Sequence, residues 1–135
     1  MHVIDGRRIA AEIEEQVRRE AAGRDICVAT VMMEGSHESA LYARLKEEAC
    51  GRVGIAAETV VFPREATLED LALVVDELNE DELVDGVMVQ LPLPGIDHQL
   101  LVQHIDPGKD VEGVHPCNLG RTQLGDERLA PCTPR

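Results

Sequence analysis

Three side chains on one segment of the chain have the types and spacing needed for acid–base chemistry. Ser39, Tyr42 and Lys46 are three and four residues apart, so in a helix they lie on one face. The chain has eleven Arg but only two Lys, and a partly desolvated Lys can release its proton whereas Arg cannot. Lys46, one turn from the single tyrosine, is therefore a candidate acid–base group. A half-exposed tyrosine beside a surface lysine is the structural alternative.

A second candidate lies at the end of an apolar run. Residues 86–89 read Gly-Val-Met-Val and predict a buried strand, which Gln90 ends with an amide that both donates and accepts hydrogen bonds. The following Leu91-Pro92-Leu93-Pro94 disfavours regular structure, because proline lacks a backbone N–H and keeps the preceding residue extended. Open α/β sheets place ligand contacts at this position. A plain exit from strand to loop would leave the same pattern.

The elements that would position these side chains alternate along the chain. Helices are predicted at about residues 7–22, 37–53, 68–79 and 98–105, and strands at 26–33, 58–62 and 86–90. This alternation predicts an α/β domain of three layers (α/β/α) with a mostly parallel sheet. The apolar runs 26–33 and 86–90 are both expected in the middle of that sheet. Because parallel strands end at one shared edge, we expect Gln90 and the Ser39–Lys46 helix to meet in one crevice.

Apolar residues at helical spacing predict which helix faces pack on the core. Asp5 and Thr67 are predicted to cap the first and third helices. The predicted inward stripes are Ile9, Ile13 and Val17 in the first helix, Leu41, Leu45, Ala49 and Val53 in the second, and Leu68, Leu71, Ala72, Val75 and Leu78 in the third.

Composition narrows the function classes. A chain of 135 residues predicts one domain, and a net charge of −13 argues against nucleic acid or an anionic membrane as a partner. The absence of a long apolar run or leader predicts a soluble protein in the cytosol. The four cysteines lack CxxC spacing and are predicted to be buried free thiols, and His115-Pro116-Cys117 is too sparse to predict a metal site. No GxGxxG or P-loop motif occurs.

Six segments, in order along nearly the whole chain, resemble signatures of one family. They are Ile4-Asp5-Gly6, Ser39-x-x-Tyr42-x-x-x-Lys46, Val89-Gln90-Leu91-Pro92-Leu93-Pro94, Asp106-Pro107-x-Lys109-Asp110-Val111-x-Gly113, His115-Pro116-x-Asn118-x-Gly120-Arg121 and Pro131-Cys132-Thr133-Pro134. The family is the bifunctional methylenetetrahydrofolate dehydrogenase/methenyltetrahydrofolate cyclohydrolase. The resemblance covers its N-terminal, folate-binding catalytic domain, which is similar to the N-terminal domain of amino-acid dehydrogenases. The Rossmann domain that carries the nicotinamide cofactor is not matched within these 135 residues.

The resemblance implies a role for each matching residue. Lys46 corresponds to the catalytic lysine, Tyr42 to a tyrosine that packs on the substrate, and Gln90 to an amide hydrogen-bonded near the lysine. The implied substrate-binding residues are Ser39, Leu91, Pro92, Glu112 and Gly113, and Cys132 and Thr133 are implied to lie near the nicotinamide. The implied cofactor is NADP, held by a Rossmann domain that this chain does not supply, and no metal is implied.

Two segments depart from the family pattern. Glu112 replaces the Asp of the family's Asp-Val-Asp-Gly segment, a carboxylate implied to hydrogen-bond the pterin ring, and it brings one extra methylene. The family's Gly-x-x-Pro-Ala-Ser loop is replaced by residues 34–39, which read Glu-Gly-Ser-His-Glu-Ser. Both changes bear on folate affinity, whereas the residues around Lys46 match.

Three hypotheses from different classes stay open. The first is the catalytic domain of the bifunctional enzyme, either as a fragment of it or as one half of a split protein that acts with a Rossmann-domain polypeptide. The second is a stand-alone cyclohydrolase, and the third is a folate-binding module without turnover. All three imply tetrahydrofolate one-carbon derivatives as ligands. The choice between NADP and NAD also stays open, as does a homodimer, because the family's dimer contacts are implied to lie largely in the second domain.

Overall fold

Helices and strands alternate along the chain in the order that the hydrophobic pattern predicts. The structure is a computed structural model that describes residues 4–35, 37–126 and 128–131. Its elements are α1 (Gly6–Ala21), β1 (Cys27–Met33), α2 (His37–Val53), β2 (Ala56–Phe62), α3 (Leu68–Glu80), β3 (Gly86–Val89), α4 (His98–Val102) and α5 (Pro116–Gln123). Every predicted element is present, and α5 is an addition that the sequence reasoning missed.

The three strands form one parallel sheet in the order β2-β1-β3. The prediction that residues 26–33 occupy the middle is confirmed, and the same prediction for residues 86–90 is wrong. On its other side, β3 meets an irregular segment: the N–H of Val87 donates to the carbonyl of Lys109 at 2.7 Å, and Val87 forms an isolated bridge with Asp110. The strand whose exit carries Gln90 is therefore covered by a loop.

Both faces of the sheet are packed, which explains why β1 is apolar at almost every position. Its odd-numbered residues from Ala29 to Met33 join Val87 and Val89 in the main core. Helix α3 and the segment around α4 cover that face with Leu71, Val75, Leu78, Leu101 and Ile105. The opposite face of the sheet is covered by α2. The predicted three-layer α/β domain is confirmed.

Both predicted helix caps are present, and Lys109, the second lysine of the chain, stabilises the opposite end of α3. Asp5 accepts from the N–H of Arg8 at 3.1 Å, and Thr67 forms a capping box with Asp70 at the start of α3. At the other end of α3, Lys109 Nζ donates to the carbonyls of Leu78 (3.0 Å) and Asp81 (2.7 Å). Helix C-terminal carbonyls lack intrahelical partners, so this ammonium stabilises the end of α3.

The predicted inward stripes of α1 and α2 are wrong in part. Ile9 and Ile13 are exposed and Val17 is half-buried, because α1 packs beside α2 rather than on the sheet. In α2, Leu41 and Leu45 are exposed, and the buried residues are Ser39, Ala43 and Val53. Small side chains on the inner face let α2 approach the sheet closely. This rotation of α2 turns the Ser39 and Lys46 side of the helix toward β3.

The chain after β3 is more regular than predicted. Helix α4 ends at Val102, three residues early, and continues as a turn in which Ile105 N–H donates to the Val102 carbonyl. Helix α5 follows at Pro116, a residue suited to a first helical turn, with the His115 side chain accepting from the Cys117 N–H at 3.0 Å. Gly113 lies before α5, Gly120 within it and Gly125 after it. Because glycine disfavours helices, the sequence pattern does not predict this one.

The three described cysteines are free thiols, and Cys132 lies outside the described residues. Cys27 and Cys50 are half-buried, and burial raises the pKa of each thiol. Cys117 is exposed, so the prediction of burial is wrong for it. Within the described ranges, no cluster of His, Cys, Asp or Glu could hold a metal ion, and no helix is long and apolar enough to cross a membrane.

Candidate active site

Lys46 and Gln90 are brought into direct contact. Met88 and Gln90 are two residues apart at the end of β3 and so point to the same side of the sheet, toward α2. Lys46 reaches across from α2, and its Nζ donates to Gln90 Oε1 at 2.8 Å and lies 3.6 Å from Met88 Sδ. Lys46 is half-buried. An ammonium has three donors, and the thioether accepts only weakly, so Nζ keeps capacity to bind a ligand.

The orientation of the Gln90 amide is set by the carbonyl of Leu91. That oxygen accepts from Gln90 Nε2 at 2.9 Å and from Ser39 Oγ at 3.0 Å. With Nε2 held by the carbonyl, Oε1 of the same amide faces Lys46. Because Ser39 and Gln90 share this carbonyl, the almost fully buried Ser39 acts on the geometry of the lysine through Leu91 and Gln90. The Leu91–Pro92 peptide bond is cis.

The predicted stripe on α2 forms, with graded exposure along it. Ser39 is buried, Lys46 is half-buried and Tyr42 is 58% exposed. Tyr42 lies one helical turn before Lys46, so its ring is available to a ligand that reaches the ammonium. This placement fits the implied packing role of Tyr42, which stays a prediction.

A mostly apolar cavity of about 430 Å³ opens where β3 ends, and Leu91, the residue after Gln90, lines it. It is bounded by Val89 and Leu91, by the face of α4, by Glu112 and Val114, and by the start of α5. Its lining residues are Val89, Leu91, His98, Gln99, Val102, Gln103, Glu112, Val114, Pro116 and Leu119. Of the site residues that the resemblance implies, Leu91 and Glu112 line this cavity, whereas the other described ones do not: Ser39, Tyr42, Lys46, Gln90, Pro92 and Gly113. Sequence reasoning missed the α4 residues, whose i, i+4 spacing (His98 with Val102, Gln99 with Gln103) was the available signal.

Glu112 is the acidic residue of the cavity wall. Burial raises the pKa of its carboxyl, the positive charge of Lys46 lowers it, and the negative charge of Asp110 raises it further. The burial effect is the largest of the three. Glu112 therefore lies within electrostatic range of Lys46, as expected if both belong to one site.

The loop that carries Glu112 is held by a buried carboxylate. Asp110 Oδ1 accepts from the N–H of Gly113 at 3.0 Å, and its Oδ2 accepts from the N–H of His115 and from Asn118 Nδ2, each at 2.9 Å. Asn118 Nδ2 also donates to the carbonyl of Pro107 at 2.8 Å. Asp110 and Asn118 are 1% and 2% exposed, so these contacts are screened from water.

Comparison with known proteins decides the family. A family model for the catalytic domain of tetrahydrofolate dehydrogenase/cyclohydrolase matches residues 4–112. The chain belongs to this family. The resemblance carried by the six sequence segments is thereby confirmed.

Curated relatives and solved structures agree with the match. Proteins named bifunctional protein FolD from Methanosarcina mazei and Methanosarcina barkeri are 41% and 44% identical, over 98% of this chain and 48% of each relative. The FolD structure from Campylobacter jejuni superposes with a TM-score of 0.90 at 34% identity, over 96% of this chain and 49% of that one. The Trypanosoma brucei enzyme, solved with NADP cofactor and an inhibitor, gives 0.89 at 34% identity, over 98% and 48%. The chain thus spans about half the length of the curated relatives it matches.

The described residues do not fit the pyrophosphate of a dinucleotide. Such a site needs a glycine-rich turn leading into a helix N-terminus. The described part of the connection from β1 to α2 is not glycine-rich: its one glycine, Gly35, follows Glu34, and its carbonyl accepts from Arg64 Nη2 at 3.3 Å. The connection after β3 has a single glycine, Gly95, and so is not glycine-rich either. Cys132 and Thr133, implied to lie near the nicotinamide, are outside the described residues.

Proposed function

We propose that this chain provides the folate-binding catalytic part of a methylenetetrahydrofolate dehydrogenase/methenyltetrahydrofolate cyclohydrolase. The observation that carries the proposal is the contact between Lys46 Nζ and Gln90 Oε1 at 2.8 Å. Leu91, the residue after Gln90, lines an apolar cavity of about 430 Å³. A cavity of this size falls within the range of roughly 300–1,000 Å³ that holds small organic ligands in proteins. The family membership supports one-carbon derivatives of tetrahydrofolate as the ligand class.

The hydrolytic step explains why a lysine and an amide are paired. Water adds to the bridging carbon of 5,10-methenyltetrahydrofolate, and the bond from that carbon to N5 breaks, giving 10-formyltetrahydrofolate and releasing one proton overall. The attacking water loses both of its protons as its oxygen becomes the formyl oxygen: one proton is gained by N5 as it leaves, and the other is released. Lys46 can move both protons because an amine accepts and an ammonium donates, and Gln90 holds its nitrogen in one place.

The cavity supplies groups for binding the substrate. Glu112 is proposed to accept hydrogen bonds from the N–H groups of the pterin ring, and Tyr42 to pack against the substrate from the exposed side. Leu91 lies in the wall of the cavity, and Pro92 continues that loop. In this arrangement the bridging carbon lies between Tyr42 and the Lys46–Gln90 pair. Acid–base catalysis requires such positioning within hydrogen-bond distance of the reacting atoms.

The oxidation of 5,10-methylenetetrahydrofolate needs NADP in addition, and a bound NADP would accept the hydride from the one-carbon bridge. Because the described residues lack a fitting dinucleotide site, we propose that a nucleotide-binding Rossmann domain supplies it, in the same polypeptide or in trans. The purified 135-residue chain should therefore form no NADPH or NADH from methylenetetrahydrofolate. NADPH formation by that chain without a partner would contradict this part of the proposal.

Hydrolysis of methenyltetrahydrofolate, followed by absorbance, tests the function of the chain itself. We expect slow turnover above the uncatalysed rate, which rises when a Rossmann domain from a related enzyme is added. A high rate that the added domain leaves unchanged would favour a stand-alone cyclohydrolase. Binding of a stable folate such as 5-formyltetrahydrofolate without any hydrolysis, with or without the added domain, would favour a binding module and refute the enzymatic proposal.

A further inference from the structure

Asp110 is a charged side chain in the interior that the proposed reaction does not use. It is 1% exposed and is absent from the lining of the cavity. A buried carboxylate is unfavourable unless hydrogen bonds compensate for its lost hydration. Here the compensating donors come from the loop and helix that form the cavity wall. The position of the carboxylate and the shape of that wall are therefore coupled.

The donors lie on both sides of the residues that face the cavity. The N–H groups of Gly113 and His115 converge on the two oxygens of Asp110, and the residues beside them, Glu112 and Val114, line the cavity. Gly113 has a φ of +70°, which permits the tight bend between them. By holding this backbone, the Asp110 carboxylate fixes the position of the Glu112 Cα and hence the point from which its side chain extends.

The same carboxylate also holds the start of α5. Asn118 Nδ2 donates to Asp110 Oδ2 and to the carbonyl of Pro107, so it joins α5 to the loop before Asp110. Pro116 and Leu119, on either side of Asn118, line the cavity as well. Movement of Asp110 would therefore displace both the Glu112 wall and the α5 wall.

We propose that Asp110, supported by Asn118, is a positioning residue that sets folate affinity through Glu112 without touching the ligand. The inference rests on the proposed folate-binding function and adds a specificity determinant to it. Asp110→Asn tests this role because it changes the charge and the hydrogen bonding of the side chain but preserves its size. The amide has one acceptor oxygen where the carboxylate has two, and it turns an NH₂ group toward donors.

A double-mutant cycle tests this coupling. Calorimetry with 5-formyltetrahydrofolate would measure the Kd of the parent chain, Asp110→Asn, Glu112→Gln and the double variant. We expect Asp110→Asn to weaken binding about tenfold in the parent, the scale of one hydrogen bond to a charged group, and less than about twofold once Glu112 is already Gln. An equal loss in both backgrounds would show that Asp110 is only structural, and would overturn the inference. Asp85→Asn is the matched control, since Asp85 accepts from the Cys27 N–H away from the cavity, and it should leave Kd unchanged.

A second measurement needs no ligand and so separates this inference from the proposed function. NMR titration of the Glu112 carboxyl carbon should give a raised pKa in the parent chain and a value nearer the ordinary one in Asn118→Ala. That variant keeps the Asp110 side chain and removes only the amide that joins it to α5, so a fall in the pKa would report the loosened wall. If the parent binds no folate, the proposed function fails while this titration still tests the wall. An unchanged Glu112 pKa in a folded Asn118→Ala chain would overturn the inference.

Discussion

Gly113 is the position where a single added methyl group should disturb the cavity wall most. A Cβ added there would overlap the carbonyl oxygen of Leu129 and lie 2.7 Å from backbone atoms of both Ala130 and Pro131. The φ of +70° alone costs an L-residue about 1 kcal/mol. Displacing the opposed backbone adds about 2 kcal/mol, the usual cost of overpacking. Gly113→Ala should therefore lower the free energy of unfolding by about 3 kcal/mol.

Gly54→Ala is the matched control for this prediction. Gly54 has a φ of +82°, and its added Cβ would meet no heavy atom within 4 Å. It should therefore show only the conformational cost of about 1 kcal/mol. Urea unfolding followed by far-UV circular dichroism measures both variants against the parent chain. Equal losses for the two would refute the claim that residues 129–131 press on Gly113, and with it the described packing of the wall.

Three further predictions follow from the site and its supports. Ser39→Ala should lower the free energy of unfolding by only about 1 kcal/mol, because the Leu91 carbonyl keeps the Gln90 donor; a loss above about 3 kcal/mol in urea unfolding would contradict this. Glu112→Asp should tighten binding of 5-formyltetrahydrofolate by about 1–2 kcal/mol if the shorter carboxylate meets the pterin ring, and calorimetry showing no change or weaker binding would count against that role. Burial raises the pKa of Glu112, so its ionisation destabilises the folded chain as the pH rises through and above the ordinary range of a glutamate. Glu112→Gln should therefore be more stable than the parent at neutral pH and equal to it at pH values below about 4, and urea midpoints that differ equally at both pH values would contradict this.

Much of the fold could be predicted because its elements are encoded locally. Runs of apolar residues marked β1 and β3, and the Thr67–Asp70 capping box marked the start of α3. The order of the strands could not be predicted in full, since β3 is apolar throughout and β1 at every position but Thr30. In the structure, β1 pairs with a strand on each side, whereas β3 pairs with β1 on one side and with the loop at Lys109 on the other. That distinction depends on long-range packing and leaves no periodic signal.

The rotation of α2 shows a second limit of pattern reasoning. Leucine spacing predicted Leu41 and Leu45 on the inner face, yet Ser39 and Ala43 are there. Counting hydrophobic residues ignores the hydrogen bond that Ser39 makes with the Leu91 carbonyl, and it ignores how closely small side chains let a helix approach a sheet. The polar stripe was the better guide to the orientation of this helix.

The site was predictable where chemistry and spacing coincide. Lys46 and Gln90 were identified from helix and strand periodicity, and the structure joins them at 2.8 Å. The wall of the cavity that α5 forms, with Pro116 and Leu119, could not be predicted from the sequence, because the glycines in and around α5 mask its helical pattern. No local pattern predicts the role of Asp110, because the three donors that surround it are brought together only by the folded loop and α5.

The most direct test of the account compares the two lysines of the chain by the same substitution. Lys46→Arg keeps the charge but cannot release its proton, whereas Lys109→Arg changes a lysine that caps α3. The measurement is the rate of methenyltetrahydrofolate hydrolysis by each folded variant, with a related Rossmann domain added. We predict a loss of at least about 100-fold for Lys46→Arg, the scale of general acid–base catalysis, and a rate near that of the parent for Lys109→Arg. A Lys46→Arg chain that hydrolyses the substrate at the parent rate would contradict the assignment of Lys46 as the catalytic residue.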